Sequence, residues 1–156
     1  MAGTETERKF LVASLPAAAD AAGERIDQGY LAVGDDGLEV RLRRRGERTV
    51  LTVKQGAGRV RAEEEIKIDR DVFDRLWPLT EGRRIEKRRS LVALDGGLTA
   101  EVDVYEGALG GLATVEVEFP EGADPDAFEP PTWFGREVTD DPRYKNRSLA
   151  LEGAPA

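Results

Sequence analysis

A chain of 156 residues is long enough for one domain with a substantial core and short for two. The absence of cysteine excludes a disulfide framework and thiolate chemistry, and the absence of histidine excludes a Ser-His-Asp triad and a histidine-held metal. A net charge of −8 argues against a general nucleic-acid binder; with 35% charged residues, no long apolar run and no signal-like start, a cytoplasmic protein without a membrane span is expected.

Along the chain, Thr4 to Phe10 (TETERKF) is predicted as a strand, with Glu5, Glu7 and Lys9 on one side and Thr6, Arg8 and Phe10 on the other. Two carboxylates this close repel unless a cation sits between them, which suits Mg²⁺ or Mn²⁺, although a solvated edge strand accounts for the same residues. Ser14 to Ala22 is predicted as a short helix closed by Gly23, and Arg25 to Val33 as a strand ending in the Gly34-Asp35-Asp36-Gly37 turn. Leu38 to Arg44 sets Glu39, Arg41 and Arg43 against Leu38, Val40 and Leu42, while Thr49 to Lys54 sets Thr52 and Lys54 against Leu51 and Val53. Arg59 to Asp69 carries Arg61, Glu63, Glu65 and Lys67 on one face. Asp71 to Leu79 has helical spacing, with Phe73, Leu76 and Trp77 as its apolar stripe.

The second half repeats the pattern. Lys87 and Arg89 share a face of Arg83 to Leu94, Glu101 and Asp103 a face of Thr99 to Tyr105, and Thr114, Glu116 and Glu118 a face of Ala113 to Phe119. Short helices are expected at Asp124 to Phe128 and Pro142 to Leu151, with one domain over residues 1–151 and a flexible tail at 152–156. About eight strands, each with one apolar and one charged face, predict an antiparallel sheet. If that sheet closes, its charged faces line a wet barrel whose bases grip phosphate oxygens and whose acids hold divalent cations. The expectation is therefore an α+β protein built on a closed eight-stranded antiparallel β-barrel flanked by a few short helices.

The order of these motifs resembles the CYTH superfamily, the triphosphate tunnel metalloenzymes. Glu5-x-Glu7-x-Lys9 is followed by QGYL (Gln28 to Leu31), EVRLRR (Glu39 to Arg44), LTVK (Leu51 to Lys54), EEEIKID (Glu63 to Asp69) and GRRIEKRR (Gly82 to Arg89). Next come EVDVY (Glu101 to Tyr105), VEVEF (Val115 to Phe119) and WFGREVTDDPRYKN (Trp133 to Asn146). The likeness is strongest to short bacterial members, some of which act as inorganic tripolyphosphatases, and it implies Mg²⁺- or Mn²⁺-dependent hydrolysis of triphosphate. By that resemblance Glu5 and Glu7 are metal ligands, joined by Glu118 ahead of Glu116. Lys9, Arg41, Arg43, Lys54, Lys87 and Arg89 bind polyphosphate, and Arg61 joins them from its charged face. Glu63, Glu65 and Asp103 help place a second cation or the attacking water, with Lys87 also counted in the catalytic set. One departure is local: Arg88-Arg89-Ser90 lacks an aromatic at the tunnel mouth.

The implied mechanism needs no covalent enzyme intermediate: metal-activated water attacks the terminal phosphorus while Lys and Arg neutralise the leaving pyrophosphate. Lys145 and Asn146, on the C-terminal helix, either cap one end of the tunnel and contact substrate or belong to a solvated helix face. An organic-triphosphate enzyme (adenylate cyclase, thiamine triphosphatase or nucleoside triphosphatase) would need a stacking surface, yet aromatics are 6% of the chain and none cluster on the charged faces. A polyphosphate-binding module without turnover is the reading of another class, disfavoured by the full set of acids. A glycosidase would want aromatic platforms rather than many bases. The expected partner is a small polyphosphate, with no nucleic acid and no membrane, and homodimerisation is compatible with such a barrel.

Overall fold

Alternating apolar and charged residues give the chain nine strands. The computed structural model describes residues 6–19, 23–57 and 60–155. Its strands are Thr6–Val12 (β1), Glu24–Val33 (β2), Glu39–Arg45 (β3), Arg48–Ala57 (β4), Val60–Lys67 (β5), Arg84–Ala93 (β6), Thr99–Tyr105 (β7), Ala113–Phe119 (β8) and Phe134–Glu137 (β9). They form one antiparallel sheet in the order β5-β4-β3-β2-β6-β7-β8-β1-β9.

This order corrects the expected closed eight-stranded barrel. The sheet is open, with β5 and β9 as its edges. Closure would require the free edge of β1 to meet β5, but β9 occupies that edge through the Phe10–Glu137 and Val12–Phe134 pairs. At the other edge, Glu63, Glu64, Glu65 and Lys67 are exposed, and a charged edge of this kind resists further strand pairing. The sheet is nevertheless strongly curled. Lys54 of β4 and Lys9 of β1 line one cavity, although five strands lie between them in the sheet order. The result is a trough whose concave face carries the charged residues.

The convex face holds the apolar side chains. Phe10, Ala100, Val102, Val115, Val117 and Phe119 are buried there beneath Phe128, Trp133 and Phe134 of the proline-rich segment. Phe10 and Phe134 ring centres are 5.0 Å apart, and those of Phe119 and Phe128 5.5 Å. Over β2 to β4 the cover is a helix, Arg70–Leu76 (α1), which buries Phe73 and sets it 5.2 Å beneath the Arg44 guanidinium. Asp27 of β2 is buried on this side and is held by Arg44 at 2.7 Å and Arg25 at 3.1 Å. Gly29 is required because a Cβ there would lie 2.5 Å from the Thr80 hydroxyl.

One end of the concave face is apolar. Tyr30, Ile85 and Tyr105 pack there with Leu149 and Ala150 of the C-terminal helix Asn146–Glu152 (α2). The four expected helices are all shorter than predicted, and Asp124 to Phe128 gives only a 3-10 turn over Pro125–Ala127. The Asp71 to Leu79 pattern gives α1 and then a 3-10 turn over Trp77–Thr80, since Pro78 has no N–H to continue the helix. The Pro142 to Leu151 pattern splits at Lys145, whose backbone is extended, into a 3-10 turn and α2. Within the described part of the alanine run, only a 3-10 turn over Ala17–Ala19 forms. Strand β9 was not anticipated, being four residues long with a glycine inside it. No helix among the described residues is long and apolar enough to cross a membrane.

Candidate functional site

Strand register decides which side chains converge. The pairs Glu7–Glu118 and Lys9–Glu116 between β1 and β8, Glu101–Glu116 between β8 and β7, and Asp103–Arg89 and Tyr105–Lys87 between β7 and β6 all lie on the trough side. Beyond β2, whose Gln28 and Tyr30 stand opposite Arg43 and Arg41, β3 adds its two arginines to the same face. Alternation along six strands thus gathers acids at the β1, β7 and β8 side and bases at the β6 and β3 side.

At the centre is a buried ionic triad. The Lys87 ammonium lies 2.9 Å from Asp103 Oδ2, and Arg89 donates to both Asp103 oxygens, at 2.8 and 3.0 Å. Arg89 also reaches Glu101 at 3.3 Å. Burial pulls Lys87 below the ordinary lysine range, with Asp103 acting in the opposite sense. Burial by itself would raise the Asp103 carboxyl, but the Arg89 hydrogen bond and the Lys87 charge hold it below the usual range. Burial likewise opposes the Arg89 charge, and Asp103 more than offsets it, so Arg89 stays firmly cationic.

Arg43 is different. Among the described residues it makes no ion pair, and its buried Nε has no hydrogen-bond partner; the Arg41 Nε is in the same condition. Burial, then the neighbouring charges of Arg89, Arg45 and Arg41, lower the Arg43 pKa. Buried donors without acceptors are costly, and these two leave room for an acceptor that the chain does not itself supply. Arg41 pairs with Glu39 at 3.4 Å through Nη1. Lys9 donates to the Tyr144 carbonyl at 2.6 Å and lies 3.7 Å from Glu116.

On the acidic side, burial raises the Glu7 carboxyl above the usual range, and Glu116 and Glu118 add to the effect. Mutual repulsion of this kind is relieved by a cation. Among the described residues no three acids come close enough to hold a metal ion by themselves. Mg²⁺, however, is commonly held by one or two carboxylates together with substrate phosphates rather than by a protein cage. Glu7 and Glu116, in a cavity shared with Lys9 and Lys54, with Glu118 opposite Glu7 in register, offer one or two carboxylates of the kind that mode needs.

The structure therefore brings Glu7, Lys9, Arg41, Arg43, Lys87, Arg89, Asp103, Glu116 and Glu118 onto one face, with Lys54 sharing the cavity of Lys9, Glu7 and Glu116. Glu63 and Glu65 are exposed on the edge strand β5, Glu63 opposite Lys54 in register and Glu65 3.7 Å from Arg48. Arg61 pairs with Gly56 along the backbone, and its side chain, like all of Glu5, lies outside the described residues. Sequence reasoning missed the Tyr144 carbonyl as a partner of Lys9, because a backbone acceptor leaves no trace in residue type. It also left Glu39 out of the site, although alternation places Glu39 beside Arg41.

A family profile described as the CYTH domain matches residues 3–144. The chain is 49% identical over 148 residues to an inorganic triphosphatase of Nitrosomonas europaea, covering 95% of this chain and 97% of the relative. To an inorganic triphosphatase of Acetivibrio thermocellus it is 37% identical over 150 residues, covering 94% and 93%. Among solved structures it is similar to the crystal structure of an inorganic triphosphatase, with a TM-score of 0.84 and 46% identity over 97% of each chain.

Proposed function

Because this chain belongs to the CYTH-domain family, we propose that it hydrolyses inorganic triphosphate to pyrophosphate and phosphate within the trough. The observation that carries the reading is the pair of buried, unpartnered guanidinium nitrogens on Arg41 and Arg43, beside the Lys87, Asp103 and Arg89 triad. The two relatives named inorganic triphosphatase, similar over almost their whole length, point the same way.

Arg41 and Arg43 bind the polyphosphate oxygens, and Lys9 and Lys54 extend the grip toward β1. Water adds to the terminal phosphorus and gives up a proton to solvent, the bond to the bridging oxygen breaks, and the leaving pyrophosphate takes up the electron pair. Lys87 and Arg89 neutralise the charge that develops on the transferred group and the leaving oxygen, the dominant contribution in phosphoryl transfer. Asp103 keeps both cations oriented; in an open, partly hydrated trough, orientation is what separates catalysis from mere binding. Glu7, with Glu116 and Glu118, would hold Mg²⁺ or Mn²⁺, which when bound shields phosphoryl charge and lowers the pKa of a coordinated water.

Phosphate release from inorganic triphosphate, measured with and without Mg²⁺, tests the reading. Metal-dependent release is expected. Release no faster than the uncatalysed background at saturating Mg²⁺ and Mn²⁺ would overturn it.

A further inference from the structure

Asp103 does not hold the Lys87 ammonium by itself. Across β6 and β7, Lys87 stands opposite Tyr105 and Arg89 opposite Asp103. The ammonium nonetheless reaches its diagonal neighbour Asp103 at 2.9 Å, and its Nζ stands over the Tyr105 ring, 5.5 Å from the ring centre. Lys87 is 4% exposed and Tyr105 3%. Among the described residues Asp103 is the one ion-pair partner of Lys87, so the ring faces a buried ammonium that has no second carboxylate.

The face of an aromatic ring is the negative part of its quadrupole, and it attracts a desolvated cation without neutralising it. A second carboxylate would bind the ammonium more tightly but would compete with phosphate for it; a ring fixes direction and leaves the charge available. The ring is itself fixed. Tyr105 packs with Tyr30, Ile85, Leu109 and Leu149 at the apolar end of the trough, and its amide donates to the Leu112 carbonyl at 3.0 Å. The Tyr105 hydroxyl is buried and has no hydrogen-bond partner. A hydroxyl in that condition holds nothing in place, so the contribution of this position to the ionic triad is its π face.

We propose that Tyr105 is a positioning residue whose ring face, together with Asp103, aims the Lys87 ammonium at the phosphoryl group undergoing transfer. The proposal rests on the triphosphatase reading for the step it serves and on the packing of β6 against β7 for the contact itself. Tyr105 touches neither substrate nor water; it acts through Lys87. Its loss is therefore felt where Lys87 neutralises developing charge, in kcat, and hardly in the initial capture of triphosphate by Arg41 and Arg43.

Two variants of the full chain separate ring from hydroxyl. Tyr105→Phe keeps the ring and should retain most of kcat with a melting temperature at or above that of the wild type, since it removes only an unpartnered oxygen. Tyr105→Leu removes the ring and should lower kcat for inorganic triphosphate by about tenfold with KM within about twofold. A second measurement needs no turnover. In carbon-edited proton spectra of the substrate-free protein, the ring current should displace the Lys87 ε-methylene resonance upfield in the wild type and in Tyr105→Phe, and the displacement should vanish in Tyr105→Leu; if the leucine variant does not fold, the wild-type and phenylalanine spectra still decide. Undiminished kcat in Tyr105→Leu, equal impairment of both variants, or an undisplaced Lys87 resonance in the wild type would overturn the proposal. Phosphate release by the wild type is scored separately. If release is absent while the resonance behaves as expected, the hydrolase reading falls and the Lys87–Tyr105 contact stands; if release is present and the resonance is undisplaced, the reverse is true.

Discussion

The Lys87 ammonium and the Asp103 carboxylate meet at 2.9 Å with side chains only 5% and 6% exposed, and Arg89 closes on the same carboxylate from the other side. Lys87 has its ion pair with Asp103 alone, whereas Arg89 keeps Glu101 at 3.3 Å, so Asp103→Asn strands the buried ammonium and removes the stronger of the two partners of Arg89. Removing one partner of a buried ion pair costs on the order of 3–5 kcal/mol, and a clear loss of melting temperature together with a fall in kcat is expected. The pH dependence follows from the lowered Asp103 pKa. Its stabilisation is complete above the unfolded carboxylate value, near pH ~4, and is lost as pH falls through the lower folded value. Acid unfolding of wild-type and Asp103→Asn proteins should therefore converge at low pH; a gap that persists unchanged to the acid limit would remove Asp103 from this role.

Arg43 carries the opposite balance. It is a half-buried charge crowded by Arg89, Arg45 and Arg41, with Asp103 as a lesser opposing charge; among the described residues it makes no ion pair, and on the proposed reading a bound phosphate offsets that cost. Arg43→Gln is expected to raise the melting temperature by about 2–4 °C for each kcal/mol relieved while lowering kcat/KM by about tenfold or more. Differential scanning calorimetry beside steady-state kinetics would show both effects. A variant that is less stable as well as less active would mean that Arg43 supports the fold.

How far the sequence reveals this arrangement depends on the interaction concerned. The two-residue alternation of Arg41 with Arg43, Lys87 with Arg89 and Glu101 with Asp103 places each pair on one face of its strand, because the period of a strand is a local property; that the three pairs share the concave face is set by register between strands. Whether the sheet closes is not local. It turns on β9, whose Phe134-Gly135-Arg136-Glu137 is too short and too weakly alternating to announce itself, yet it occupies the edge of β1 that a barrel needs. Nor does residue type disclose that one end of the charged face is filled by Leu149 and Ala150 against Tyr30 and Ile85. That follows from where α2 docks, a long-range contact with no periodic signature.

Glu7 is expected to matter for the cation and little for the fold. Burial and the charges of Glu116 and Glu118 raise its pKa, so its ionised form is disfavoured in the substrate-free protein and Glu7→Gln relieves repulsion. The variant should melt at or slightly above the wild-type temperature while metal-dependent turnover drops by about two or more orders of magnitude. A Mg²⁺ titration of phosphate release reads this directly. Full activity of Glu7→Gln at saturating Mg²⁺ would place the cation elsewhere.

Arg8 and Glu137 secure the segment on which Lys9 relies. Arg8 donates to both Glu137 oxygens, at 2.9 and 2.7 Å, and to the Pro125 carbonyl at 2.9 Å, pinning β9 and the proline-rich segment to β1. The Arg8 hydrogen bond lowers the Glu137 pKa to about 2. The stabilisation from Glu137 is thus complete above its unfolded value, near pH ~4.3, and is lost as pH falls through about 2. Because the pair is partly exposed, Glu137→Gln should cost no more than about 1 kcal/mol at neutral pH, and its unfolding should become less pH-dependent than wild type between those limits. Since the same segment presents the Tyr144 carbonyl to Lys9, loosening it should raise KM for inorganic triphosphate by about two- to fivefold with kcat retained, the mark of weakened uniform binding. A fall in kcat at unchanged KM would instead tie this clasp to the chemical step.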